Sequence, residues 1–191
     1  MIKNKAKIVC IIPARGGSKR LSRKNLYKIN NKPCIHYAIK ACLDSEYIKD
    51  FVYVTSEDRE IIEYSLSQGA KIIERPVHLS KDNVWTQDVL KHAVNHLSEE
   101  KFTHVIRVQA NSPQVTTKKI NECIEKLVKY NLWEVFTVDG NGIEDAAIHV
   151  MKKDCVFQNA LSVYKGVVTT NYIDLHTLAD VIEIENRMKN D

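Results

Sequence analysis

Apolar positions fall along this chain in two alternating rhythms. Residues 8–12, Ile-Val-Cys-Ile-Ile, form an unbroken apolar run of mostly β-branched residues, the pattern of a strand buried on both faces. Ile35, Ala38, Ile39 and Cys42 then recur at i, i+3, i+4 and i+7, so a helix is expected from Pro33 to near Glu46. Residues 51–55 read as a second strand. Ser56 is placed to cap the helix after it, with Glu57 and Asp58 in the first turn and Gly69 at the stop. Residues 70–76 make a third strand, closed by Pro76. Residues 85–97 follow as a helix with Val89, Leu90, Ala93, Val94 and Leu97 on one face, and residues 103–109 as a fourth strand. Ile120, Cys123, Ile124, Leu127 and Val128 mark a helix opened by Thr117, and residues 133–138 read as a fifth strand.

Beyond the turn at Asp139-Gly-Asn-Gly142 the rhythm fails. Residues 146–165 alternate short apolar and polar pieces and specify no element. Thr177 and Asp180 have capping-box spacing, opening a last helix expected to turn Leu178, Val181, Ile182 and Met188 inward. Strands alternating with helices predict an α/β fold, one domain over residues 1–191, with a three-layer, Rossmann-like, mostly parallel sheet and helices on both faces. Ligands on such sheets bind beyond the carboxyl ends of the strands, so the loops after residues 12, 55, 76 and 109 should converge.

Composition narrows the class without naming a chemistry. With 44% hydrophobic and 27% charged residues, the 191-residue chain is neither disordered nor rich enough in apolar runs to span a membrane as a helix. Its start, Met-Ile-Lys-Asn-Lys-Ala-Lys, lacks the apolar segment of a secretory signal, so a cytoplasmic location is expected. Cys10, Cys34, Cys42, Cys123 and Cys155 sit mostly in apolar patterns with no Cys-x-x-Cys pair, which reads as reduced core thiols rather than disulfides or zinc ligands.

The net charge of +4 is modest, but the excess gathers in one loop. Arg15, Lys19, Arg20, Arg23 and Lys24 place five cations within ten residues, directly after the first strand. Gly16 and Gly17 remove Cβ at consecutive positions, freeing the backbone for positive φ and letting its N–H groups approach a ligand closely. A buried strand running into a basic glycine loop suits a polyphosphate. The loop is neither a Walker A sequence nor Gly-x-Gly-x-x-Gly. It also lacks the interleaved aromatic residues of a nucleic-acid platform.

Pro13-Ala14-Arg15-Gly16-Gly17-Ser18-Lys19-Arg20, with Lys24-Asn25 after it, resembles the opening motif of the sugar-activating cytidylyltransferases, the acylneuraminate group and its CMP-Kdo synthetase relatives. The resemblance implies a nucleotide-diphospho-sugar transferase-like fold whose first loop, Ala14 to Ser18, wraps the triphosphate of CTP. Arg15 and Lys24 would then contact phosphates, with Asn25 beside the nucleotide. Glu74-Arg75-Pro76, followed by Ser80, Asp82 and Thr86, resembles a second family stretch near the nucleotide, which adds Arg75 and Ser80 to the binding set. Gln109, Ser112 and Pro113 match a third.

Two departures accompany the match. Asn111 stands where the Kdo branch has a magnesium-binding aspartate, and Ile173-Asp174-Leu175-His176-Thr177 falls on a segment with two metal-binding aspartates, of which Asp174 keeps the first while His176 replaces the second. Mg²⁺ is the implied cofactor, with Mn²⁺ favoured by an imidazole ligand. The family's protruding lobe, which builds a homodimer and much of the sugar pocket, has only about thirty-five residues available between Asp139 and Asp174. The resemblance therefore implies CMP transfer from CTP to an acidic 2-keto-3-deoxy sugar, with pyrophosphate released. A smaller phosphate or phosphonate acceptor, or a non-catalytic nucleotide-binding relative, are the alternatives.

Overall fold

The computed structural model describes residues 7–190. In chain order these form β1 (Ile8–Pro13), a small hairpin of β2 (Lys28–Ile29) and β3 (Lys32–Pro33), α1 (Cys34–Leu43), β4 (Val52–Ser56), α2 (Arg59–Ser67) and β5 (Lys71–Glu74). They continue through α3 (Thr86–His96), β6 (His104–Val108), α4 (Thr117–Lys129), β7 (Glu134–Val138), β8 (Glu144–Lys152), β9 (Lys165–Thr169) and α5 (Leu178–Asn190). Seven strands share one sheet in the order β5-β4-β1-β6-β8-β7-β9. All run parallel except β8, which is antiparallel to both of its neighbours.

The continuous apolar run of β1 has its cause in this order, because β1 is paired on both edges and covered on both faces. Cys10 and Ile12 face a core shared with Ile35, Ile39 and Ile61, together with Ile120 and Ile124 of α4. Val9 and Ile11 face the opposite side, where Leu90, Ala93 and Val94 of α3 pack. A third, smaller core joins Leu21 of the first loop, Ile29, Cys34, Leu175, and Val181 and Ile184 of α5. It binds the end of the described chain to the loop near its start. The five cysteines are buried and free, with the Cys10 and Cys42 sulfurs 3.5 Å apart.

Several expectations shift in detail. Ser56 closes β4 and its hydroxyl accepts the Asp58 N–H, while Asp58 itself caps α2 by accepting the Ile61 N–H at 3.1 Å. Thr116, one residue before Thr117, caps α4. Pro33 ends β3 and only borders α1, which stops at Leu43 rather than near Glu46. On α5 the buried positions are Val181 and Ile184, with Met188 packed beside them, whereas Leu178 and Ile182 are exposed. The helix docks on the small third core along one narrow stripe, which leaves the adjacent stripe in water.

The larger correction concerns residues 146–165, which supply most of β8 and lead into β9, both strands of the main sheet. β8 inserts between β6 and β7, pairing Ile106 with Val150 and Val135 with Val150. Its entry is irregular: the register shifts between Phe136 and Val138, and Ala146 takes a left-handed φ of 58°.

Candidate active site

The carboxyl ends of β1, β4, β5 and β6 meet as the parallel topology requires, and a cleft opens above them. Arg15, Gly17, Lys24, Asn25, Arg75, Gln109 and Asn111 all line it, together with Asp82 and Thr86. Seven of the residues expected at a nucleotide or metal site from separate stretches of sequence therefore share one wall. Ala14, Gly16, Ser18, Ser80, Asp174 and His176 do not line it. Ala14 is buried and its N–H continues the β1–β4 ladder to the Thr55 carbonyl at 3.0 Å.

Glu57, which follows β4, organises this side of the cleft. Its Oε1 accepts the Gly16 N–H at 2.9 Å, and its Oε2 accepts from Arg75 Nη2 at 2.8 Å and from Ser80 Oγ at 2.7 Å. Burial alone would push the Glu57 carboxyl up, but the bonds from Ser80, Arg75 and Gly16 outweigh it and hold the group below the usual carboxylate range. Gly16 thus spends its N–H on a carboxylate rather than presenting it to a ligand. Neither Gly16 nor Gly17 takes positive φ, contrary to the expectation. Gly16 is needed for a different reason: a Cβ there would lie 2.2 Å from Asp58 Oδ2. Gly17 has open space around it.

Three of the five loop cations pair with carboxylates of the chain. Arg15 Nη1 lies 2.6 Å from Asp82 Oδ1 and donates to the Ser80 carbonyl at 3.3 Å, while Lys19 Nζ lies 2.7 Å from Asp82 Oδ2. Arg23 reaches Asp58 and Glu60, both at 3.2 Å. Arg75 is buried, and its Nε has no hydrogen-bond partner among the described residues. Asn25 donates to the Arg15 carbonyl at 2.9 Å, tying the far end of the loop to its beginning. Lys24 is half-buried on the cleft. Burial lowers its ammonium from the ordinary lysine value, with the charge of Asp174 opposing.

Asn111, on the cleft, meets Asp174 and His176 behind it, although 63 residues separate Asn111 from Asp174. The Asn111 amide donates to Asp174 Oδ1 and to the Leu175 carbonyl at 3.3 Å, and His176 Nε2 lies 2.7 Å from Asp174 Oδ2. Burial pushes the Asp174 carboxyl up, against the pull of His176 and Lys24. One carboxylate, one amide and one imidazole are too few hard donors for a divalent cation held by protein alone. They fit a cation that completes its shell with phosphate oxygens and water. Among the described residues no group of three or more His, Cys, Asp or Glu side chains is placed to hold a metal.

Glu57 is the functional residue that sequence reasoning missed. Its position directly after a strand, beside Ser56 and Asp58, carried the signal, but an acid in a helix's first turn explains that signal equally well.

A mostly parallel sheet with one reversed strand and a cationic first loop defines the class: a nucleotidyltransferase fold. The cytidylyltransferase family profile matches residues 9–168, and the chain belongs to that family. It is 38% identical over 126 residues to pseudaminic acid cytidylyltransferase of Campylobacter jejuni, covering 64% of this chain and 54% of that protein. It is 32% identical over 121 residues to N-acylneuraminate cytidylyltransferase of Escherichia coli, covering 63% of this chain and 28% of that protein. The chain thus spans about half or less of the length of these curated relatives. A solved CMP:2-keto-3-deoxy-manno-octonic acid synthetase in complex with CTP superposes with a TM-score of 0.76 at 16% identity, over 97% of this chain and 99% of that one. A 4-diphosphocytidyl-2C-methyl-D-erythritol synthase from Anaerococcus prevotii superposes at 0.67 and 14% identity, covering 98% of both chains.

Proposed function

We propose that the protein transfers CMP from CTP to an acidic sugar of the 2-keto-3-deoxy class and releases pyrophosphate. The observation that carries this reading is the convergence of Arg15, Lys24, Arg75 and Gln109, from four separate stretches, on a single cleft wall in a chain of this family. The relatives act on pseudaminic and N-acylneuraminic acids, which are acidic sugars.

In this reading Arg15 and Lys24 bind and orient the triphosphate, and Arg75 adds a fixed positive charge held by Glu57. The acceptor hydroxyl attacks the α-phosphate in line, the Pα–O bond to the β-phosphate breaks and pyrophosphate leaves, and the hydroxyl proton passes to water, so the protein's work is mainly positioning and charge neutralisation. The partly desolvated Lys24 ammonium gains most from an incoming anion, because water already solvates it poorly. Asn25 and Gln109 stand beside the nucleoside. A Mg²⁺ or Mn²⁺ ion, when bound, would neutralise charge on the reacting phosphate. Asp174 would hold it, with Asn111 and His176 adjacent. Among the described residues no helix is long and apolar enough to cross a membrane, and we assign the reaction to the cytoplasm.

A smaller acceptor, such as a phosphate or phosphonate, is favoured by one specific observation. Nearly all of the chain between Val138 and Asp174 is spent on β8, a short 3₁₀ segment, β9 and their turns, leaving no protruding lobe to shape a sugar pocket. A homodimer belongs to the same proposal, with the exposed edge at β9 available to a second copy; light scattering would detect it. The deciding assay measures pyrophosphate release from CTP with Mg²⁺ or Mn²⁺ against a panel of acidic sugars and phosphonates. Release with CTP and one acceptor class, but not with ATP or GTP, is expected. Failure across the panel, with CTP still bound, would make the protein a non-catalytic nucleotide-binding relative.

A further inference from the structure

We propose that Asp82 is an internal stand-in for the triphosphate, a latch that anionic ligands must displace to engage the first loop. This rests on the reading of Arg15 as a phosphate contact. Both carboxylate oxygens of Asp82 are in use, Oδ1 on Arg15 at 2.6 Å and Oδ2 on Lys19 at 2.7 Å, so one side chain bridges two loop cations across the cleft wall. Arg15 cannot give the same guanidinium edge to Asp82 and to a phosphate. A polyphosphate brings more charge and more oxygens than one carboxylate, so the exchange favours it. Asp82 is 42% exposed and returns to water at little cost.

The surrounding bonds divide the segment into a fixed half and a releasable half. Arg75 and Ser80 are held by Glu57 at 2.8 and 2.7 Å, whatever Asp82 does. Asp82 lies two residues past Ser80, in a stretch whose backbone makes a turn bond from Val84 N–H to the Lys81 carbonyl at 3.2 Å. Release therefore moves residues 81–84, up to the point where the Trp85 carbonyl accepts the Asp88 N–H at 3.0 Å, and leaves Arg75, which follows β5, in place. Trp85, 78% exposed, sits at the end of that stretch and reports on it. Trp133 is the other tryptophan in the chain and lies at the start of β7.

The test uses the full chain with Trp133→Phe, leaving Trp85 as the single tryptophan, with and without Asp82→Asn. Tripolyphosphate, CTP and uncharged cytidine are titrated by calorimetry, and Trp85 emission is followed in parallel. With the latch removed, tripolyphosphate and CTP should bind about three- to tenfold more tightly, the range expected for partly exposed ion pairs, while cytidine should be unchanged. Simple removal of a nearby negative charge would also tighten anions, so the emission is the discriminating readout. Trp85 in ligand-free Asp82→Asn should already resemble the CTP-bound parent, and CTP should then change it little. Equal CTP affinity in both forms, or a Trp85 signal in the parent that CTP does not alter, would overturn the latch and leave the nucleotide reading standing. Failure of CTP and tripolyphosphate to bind either form would remove the nucleotide reading and the latch together.

Discussion

Replacing Glu57 by glutamine isolates the clamp behind the cleft, because the shape is preserved while the charge is lost. The Gln carbonyl can still accept the Gly16 N–H, but its amide now points a donor at Arg75 Nη2, itself a donor 2.8 Å away. The loss includes one charge-assisted hydrogen bond, worth ~1.5–3 kcal/mol. It also leaves a guanidinium that is 3% exposed without its carboxylate, and breaking a fully buried pair costs ~3–5 kcal/mol. Glu57 keeps 16% side-chain exposure, so water recovers part of that, and a net loss of about 2–4 kcal/mol follows. For a chain of this size the melting temperature should fall by roughly 5–12 °C. A pH series adds a second constraint. The Glu57 carboxyl is held below its unfolded value, so its stabilisation is present above the ordinary glutamate pKa of ~4.3 and is lost as pH falls through the lower folded value. The gap between parent and Glu57→Gln should therefore be full near neutrality and close in acid. A drop of under ~2 °C at neutral pH, or a gap that widens in acid, would refute the argument.

Three further outcomes are expected. Arg15→Ala or Lys24→Ala should weaken CTP binding by ~1.5–3 kcal/mol in calorimetry, and unchanged binding would reduce the loop to basic surface. Asp174→Asn should abolish metal-dependent turnover with either Mg²⁺ or Mn²⁺, whereas His176→Asp should raise Mg²⁺-dependent turnover by restoring a second carboxylate; harmless effects from both would make this segment only the entry to α5. Gly16→Ala should lose nucleotide binding, since its Cβ would sit 2.2 Å from Asp58 Oδ2; binding equal to the parent in the same titration would refute this.

What the sequence disclosed, and what it hid, follows from how each contact is made. β1 was legible because a doubly covered central strand must be apolar at every position, and residues 8–12 have no alternative use. Arg15 and Lys24 were legible because they belong to a cluster of cations within one loop. β8 was hidden because its pairing begins with Glu144, Asp145 and a left-handed Ala146, and the apolar run from Ala147 to Met151 is interrupted by His149, whose ring pairs with Glu134 at 3.0 Å. Its partners also lie on both sides in space, a property no local pattern records. Glu57 was hidden for a related reason: its three bonds reach residues 16, 75 and 80, which come together only after the sheet has formed.

The small third core has a consequence for the order in which the protein becomes competent. During synthesis the first loop and β1 emerge early, yet Leu21 and Ile29 cannot be covered until Leu175, Val181 and Ile184 arrive some 150 residues later. The same late segment delivers Asp174 to Asn111 and Lys24. A nascent chain that stops short of residue 174 carries the first loop's cations but neither the apolar contacts of Leu175, Val181 and Ile184 nor Asp174. Docking of α5 is thus a completion step: the residue that finishes the site and the hydrophobic contacts that seat the loop come in on one stretch of chain. Partly made protein is left without its inner carboxylate until the last helix is in place.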